Sequence, residues 1–287
     1  MIRTDLAAEK EQQLDNADSH IEGISKEEFY KGDLHISRIS LTSQNASALL
    51  EKPLGNYTTV TCEKGFDSMP DKVKIYSDTL CNELKRLAGK FRKPLVVGLG
   101  NEAITPDSLG VLVSKKIFAT RHIKTLAPEL YCDKMNEVAV IATGVTGNTG
   151  LESQEIVRAL CEKIHPDVVF VIDALACAEI KNLGASIQLT DTGISPGSGV
   201  ENARAELSQN TLGCKVIAVG IPTVIDMQTA VFQISDAENQ NEKYASMMVT
   251  PRNIDFLVKN GATIIKMALN SLFHPSISPS EIDAIVG

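Results

Sequence analysis

Two aspartates stand where a parallel α/β protein puts its chemistry. Asp107 closes the segment Gly98-Leu99-Gly100-Asn101-Glu102-Ala103-Ile104-Thr105-Pro106-Asp107, which continues a short apolar run. Asp173 ends another such run, in Val171-Ile172-Asp173-Ala174-Leu175. Ligands of doubly wound sheets collect at the carboxyl ends of the strands. Two carboxylates in one site titrate as a coupled pair, one protonated and one ionised. Such a pair can activate water and protonate a leaving amine, which is what peptide hydrolysis requires. Each aspartate also has a plain structural use. Thr105 can cap a helix with Pro106 at its first position, leaving Asp107 in the first turn where the dipole favours a carboxylate. Asp173 can cap a helix that starts at Ala174.

Other chemistries fit less well. Gly98-x-Gly100-x-x-Ala103 after a strand matches the dinucleotide fingerprint. That fingerprint leads straight into a helix and takes an acidic residue about 20 positions on. Here Thr105-Pro106 delays the helix, and the chain around 118–124 carries no acid. A non-enzymatic module binding a dinucleotide or a peptide is the alternative from outside the enzymes. No G-x-S-x-G elbow is present, and no cysteine has a histidine beside it. Ser195 and Ser198 belong to the glycine-rich loop Gly193-Ile194-Ser195-Pro196-Gly197-Ser198-Gly199 and read as loop-formers. Backbone N–H groups of that loop, or of Gly98 to Asn101, are the candidate oxyanion donors. The cysteines at 62, 81, 132, 161, 177 and 214 form no CxxC, and the histidines at 20, 35, 122, 165 and 274 form no HExxH. No metal site and no cofactor are therefore expected, and the thiols are expected to be reduced.

The elements that must position these groups are legible as patterns. Runs at 95–99, 138–142, 168–172 and 215–219 are continuously apolar, as in strands covered on both faces. Helical spacing fits 71–91, 108–119, 151–164 and 253–272. Residues 34–41 and 57–62 read as further strands, and the polar residues 1–31 as a mobile arm or helix. Strand and helix alternation predicts an α/β fold of three layers, α/β/α, around a mostly parallel sheet.

The 287 residues, 43% hydrophobic and 22% charged, can bury a sizeable core, and the absence of Trp leaves aliphatic side chains to fill it. A net charge of -8 argues against direct nucleic-acid binding, which needs basic patches. No run approaches the ~18 apolar residues of a membrane span, and the N-terminal residues carry no signal-like apolar stretch. The expectation is a soluble intracellular protein with no membrane contact.

Over most of its length the chain resembles the germination protease family. The segments that carry the resemblance are Arg3-Thr4-Asp5-Leu6-Ala7, Gly98-Leu99-Gly100-Asn101 with Thr105-Pro106-Asp107-Ser108-Leu109-Gly110, Thr120-Arg121-His122, and Ala142-Thr143-Gly144-Val145-Thr146-Gly147-Asn148-Thr149-Gly150. Val171 to Ala176, Asp191 to Gly199, Gly220 to Asp226 and Val249 to Asp255 complete the series. The resemblance implies a hydrogenase-maturation-protease-like fold, an endopeptidase acting on small acid-soluble DNA-binding spore proteins in the spore core, and a homotetrameric zymogen. It implies that Asp107 and Asp173 are the essential pair. It also implies cutting after an acidic residue and before a large apolar one. Thr4-Asp5-Leu6-Ala7 has that form, so self-cleavage is expected between Asp5 and Leu6. Residues 1–5 would then be a propeptide and 6–287 one protease domain. Asn101 is a candidate to orient a carboxylate or the substrate, with Gly100, Gly193 and Gly197 beside it, and His122 is expected to be buried. A metal-dependent maturation-type protease is the second enzyme reading, and the short stretch between Gln233 and Val249 implies a reduced flap or interface element.

Overall fold

The four continuously apolar runs lie side by side in one sheet of nine strands. The computed structural model describes residues 4–15, 21–66, 69–131, 135–197, 204–235 and 247–286. The strands are β1 (Ile24–Lys31), β2 (Leu34–Leu41), β3 (Gly55–Thr61), β4 (Pro94–Gly98), β5 (Ala139–Ala142), β6 (Val168–Cys177), β7 (Ser186–Thr190), β8 (Lys215–Asp226) and β9 (Met248–Val249). Their order is β1-β2-β3-β7-β8-β6-β4-β5, with β9 on β8.

Parallel pairing is confined to β5, β4, β6 and β8, the half that carries the two aspartates. β7, β3, β2 and β1 extend this half antiparallel, so the sheet is mixed. Of the arm or helix expected over residues 1–31, a helix is present at Ala7–Asp15, and the unexpected element is the edge strand β1. That strand is mostly exposed on both faces, so it lacks the apolar alternation by which strands are read from sequence. Its partner β2 follows through a tight turn at Gly32, whose φ of 64° favours glycine.

Alternate residues of the parallel strands feed two cores, which is the three-layer arrangement. Val96, Phe170, Ile172, Ile217 and Val219 pack under the helices Pro70–Ala88 and Ile254–Phe273. Leu95, Val97, Val169, Val171 and Val216 pack on the other face, with Val157 and Cys161 of the helix Ser153–Ile164. Phe170 meets Phe91 and Phe273 edge-on, with ring centroids 5.6 and 5.2 Å apart. No helix among the described residues is long and apolar enough to cross a membrane.

The short helix Leu109–Ser114 is shorter than the 108–119 expected and lies directly on the ends of β4 and β6. Glycine makes this approach possible. A Cβ at Gly98 would stand 2.1 Å from the Gly110 carbonyl oxygen, and one at Gly110 would stand 2.4 Å from the Ile172 oxygen. Gly110→Ala is therefore expected to destabilise the chain by about 1–3 kcal/mol, since neither neighbour is a flexible side-chain tip. A urea unfolding curve that matches the parent would refute this close contact.

Candidate functional site

Asp173 lies inside a strand. β4 ends opposite Ile172, whereas β6 continues to Cys177 alongside β8. The helix that Asp173 was expected to cap is absent, because residues 174 to 177 stay extended; its Oδ1 takes the Ala174 N–H at 2.9 Å. Asp173 alternates onto the face of Val169 and Val171 and is buried. Paired positions run across that face as Thr59, Gln188, Gly220 and Asp173. Burial pushes the Asp173 carboxyl well above the usual carboxylate range, and the charges of Asp107 and Asp5 push in the same direction.

Asp107 comes from the loop after β4. Thr105–Asp107 form one 3₁₀ turn rather than the start of the helix, and Thr105 caps nothing with its side chain. Its carbonyl instead accepts the N–H and hydroxyl of Ser108. The loop closes on itself: the Asn101 N–H donates to Asp107 Oδ2 at 2.9 Å and to the Asp107 main-chain oxygen at 3.1 Å. Gly100, at φ +99°, sits against that turn, where a Cβ would be 1.9 Å from the Asp107 oxygen. Asn101 thus orients the carboxylate through its backbone, while its side chain accepts the Ala103 N–H. Partial burial raises the Asp107 carboxyl, while the Asn101 N–H and the charge of Arg204 act to lower it.

Both aspartates line one cleft of ≈ 530 Å³, together with Gly100, Asn101, Gly197, Arg204 and Asp5. Asp5, though remote in sequence, is therefore part of the site. Asp5 donates its N–H to the Ala176 oxygen at 3.0 Å, and its Oδ2 accepts the Ala176 N–H at 2.8 Å. Leu6 is fully buried against Cys177, Leu183, Ile225 and Ala230. Thr4 Oγ1 accepts the Leu6 N–H and donates to the Glu9 carboxylate, just ahead of the helix that begins at Ala7. Residues 1–3 of the expected propeptide lie outside the described residues.

The glycine-rich loop borders the cleft. Gly193 has φ +89°, and a Cβ there would meet the Leu207 oxygen at 2.2 Å; Gly197 has φ +73°. Ser198 and Gly199 lie outside the described residues. The expected N–H donors are partly spent: Leu99 donates to Ile172, Asn101 to Asp107 and Ile194 to Leu207. His122 is exposed, not buried, in the turn before Ile123–Leu126; the buried histidine is His274, with Nε2 on the Phe118 carbonyl. The buried member of Thr120-Arg121-His122 is Thr120, which donates to the Asn136 oxygen.

Sequence reasoning missed three residues. Arg204 Nη1 bonds Thr146 and the Glu152 carboxylate, at 3.2 Å from Glu152 Oε1, and faces Asp107 across the cleft. Lys52 and Gln188 hold the main chain around Asp5. A lone Arg, Lys or Gln at no diagnostic spacing gave no signal. Among the described residues, no three His, Cys, Asp or Glu side chains gather as a group able to hold a metal.

The fold and cleft describe an α/β protein with two carboxylates at neighbouring strands of its parallel half. Residues 2–239 match the germination protease family. A germination protease of Caldanaerobacter subterraneus subsp. tengcongensis is 33% identical over 99% of this chain and 98% of its own. One from Clostridium perfringens is 33% identical over 98% of each, and one from a Geobacillus species is 36% identical over 90% of this chain and 68% of its own. The chain belongs to the germination protease family and is a peptidase. A nickel–iron hydrogenase maturation protease from Thermococcus kodakarensis covers 65% of this chain and 98% of its own at 16% identity, with a TM-score of 0.38, too low to support any statement about shared chemistry.

The raised Asp173 carboxyl has a consequence for stability. Above the ordinary carboxylate range the folded chain keeps a proton that the unfolded chain releases, so this group's contribution is fully present in acid and is lost as pH rises through its folded value. Asp173→Asn removes that loss. Relative to the parent, the variant should gain more stability toward urea at about pH 7.5 than at about pH 4.5. An equal difference at both pH values would contradict the burial of this carboxyl.

Proposed function

We propose that Asp107 and Asp173 together cut peptide bonds after an acidic residue and before a large apolar one. The substrates of this reading are small acid-soluble DNA-binding spore proteins, met in the forespore. The chain is a homotetrameric zymogen that first removes residues 1–5 from itself. One observation carries the reading: Asp5, the acidic residue before the large apolar Leu6, lines the cleft of the two aspartates, and Leu6 is buried beside it. The Asp5 carboxylate rests on the Ala176 N–H, which suits an acidic side chain, and Leu6 fills an apolar pocket. Asp5 lines the same cleft, so even a short propeptide would occupy part of it.

The environments of the two carboxyls divide the roles. Asp173, buried and repelled by two neighbouring carboxylates, keeps the proton. Asp107, which faces Arg204 and accepts the Asn101 N–H, is the ionised member. Asp107 takes a proton from water as the water attacks the carbonyl carbon, and Asp173 gives its proton to the leaving nitrogen. Arg204, tied to Glu152, sets the field that keeps Asp107 charged.

The test uses full-length chain in chelator, followed by intact mass spectrometry, with a Thr-Glu-Ile-Ala-Ser-Glu peptide added as substrate. The expected outcome is loss of residues 1–5 and one cut after the first Glu of the peptide. Asp107→Asn and Asp173→Asn should each slow both reactions at least about 100-fold. Cleavage that needs an added divalent metal would instead favour the metal-dependent maturation-type protease. No cleavage by a folded parent chain would favour a binding module.

A further inference from the structure

The main chain that crosses the cleft is gripped by two side chains that acid–base chemistry at the aspartates leaves unused. Lys52 follows the helix Gln44–Leu50, which ends at Glu51 with φ 53°, and that turn sends Lys52 beneath the N-terminal segment. Its Nζ donates to the Thr4 carbonyl at 3.1 Å and the Asp5 carbonyl at 3.0 Å. Gln188 Nε2 donates to the same Asp5 oxygen at 2.7 Å, while Gln188 Oε1 accepts the Ala7 N–H at 2.7 Å. The Asp5 oxygen, on the acyl side of the Asp5–Leu6 bond, thus receives two side-chain donors.

We propose that Lys52 and Gln188 are the carbonyl-binding site of this peptidase, gripping the acyl oxygen of the bond to be cut both in the chain itself and in substrates. The inference rests on the reading that the Asp5–Leu6 bond is cleaved at this cleft. All four contacts are to main-chain atoms, so the grip accepts any extended peptide. Selectivity falls to the Ala176 N–H, which takes the acidic side chain, and to the apolar pocket of Leu6. The occupant is therefore an extended segment with an acidic residue, a large apolar residue and then a small one.

The sheet supports this geometry. Gln188 and Asp173 lie in the same cross-strand row on the same face, separated only by Gly220. A Cβ at Gly220 would come within 2.5 Å of Leu175 Cγ, so glycine makes room for the Leu175 side chain, which lies over the sheet between them. When water adds to the Asp5 carbonyl carbon, its π pair moves onto the oxygen and one water proton passes to Asp107. The oxyanion so formed lies beside Lys52 and Gln188, donors that strengthen as charge develops. Collapse restores C=O and breaks the C–N bond. The nitrogen takes the Asp173 proton, leaving an acid on Asp5 and an amine on Leu6. Desolvation lowers the ammonium pKa of the half-buried Lys52, while the carboxylates of Asp5, Glu9 and Glu51 favour its charge and Lys10 opposes it.

The experiment follows self-processing of the full-length chain and its cleavage of the Thr-Glu-Ile-Ala-Ser-Glu peptide, with thermal unfolding recorded alongside. Lys52→Met and Gln188→Met, similar in length but without donors, are expected to slow removal of residues 1–5 at least about 100-fold, and Lys52→Arg to retain most of the rate. On the peptide, kcat should fall more than KM rises. Folded variants that process at the parental rate overturn the proposal, as does a loss in KM alone. Gln188→Met keeps the lysine in place, so it decides the matter if Lys52→Met unfolds. If Asp107→Asn and Asp173→Asn still cut at Asp5–Leu6 while the Lys52 and Gln188 variants do not, the aspartate reading fails and the carbonyl site stands. A folded parent that cuts neither itself nor the peptide removes both.

Discussion

A carboxyl group buried inside a strand is costly unless something compensates for its desolvation, and Asp173 is the point around which the rest of the site is arranged. It is 6% exposed, it accepts one backbone N–H, and a second carboxylate stands nearby. The group is accommodated by keeping its proton. That state requires β6 to run past the end of β4, so that Asp173 faces a cleft and not a neighbouring strand. It also requires the loop after β4 to fold back through Gly100 and the Asn101 N–H, which brings Asp107 to the same cleft. The Gly98–Gly110 contact, by seating the next helix directly on the sheet, holds the far end of that loop.

The antiparallel half of the sheet has a different task. It supplies Gln188 from β7 and, through the turn before β3, Lys52. Both reach the segment Thr4 to Ala7, which crosses from β6 toward β7. A cluster centred on Glu9 anchors this segment: its carboxylate accepts the N–H groups of Ala178 and Glu179 and the Asn182 amide. Burial raises the Glu9 carboxyl despite these donors. The first turn of the N-terminal helix is thus pinned to the end of β6, and Asp5 is held against Ala176 as a result. Asp5 thus lies between the cleft lined by the two aspartates and the pocket lined by Lys52 and Gln188.

Main-chain and side-chain recognition are divided in the same way. The Asp5 carboxylate and the Leu6 side chain occupy places that discriminate by charge and by shape, whereas Lys52 and Gln188 touch only atoms that every residue has.

How much of this was legible in the sequence follows from the range of the forces involved. Continuous apolar runs at 95–99, 138–142, 168–172 and 215–219 record burial on both faces, a local property, so the parallel half and the α/β class could be read directly. Asp107 and Asp173 stood out because each follows such a run, and Gly98 and Gly100 because glycine marks close approach. β1 and β7 carried no such mark. An exposed edge strand and a short strand inside a mixed sheet are specified by their partners, not by their own period. His122 was misjudged because nothing in its neighbourhood reports depth, and Thr105 because a 3₁₀ turn and a helix start share Pro at the same position. The tertiary structure alone decided that Asp5 and Arg204 share the cleft of the two aspartates and that Lys52 and Gln188 hold the main chain at Asp5. Hydrogen bonds and charges act through space over a few ångströms, between residues as far apart as Asp5 and Gln188, and that proximity exists only once the sheet has closed.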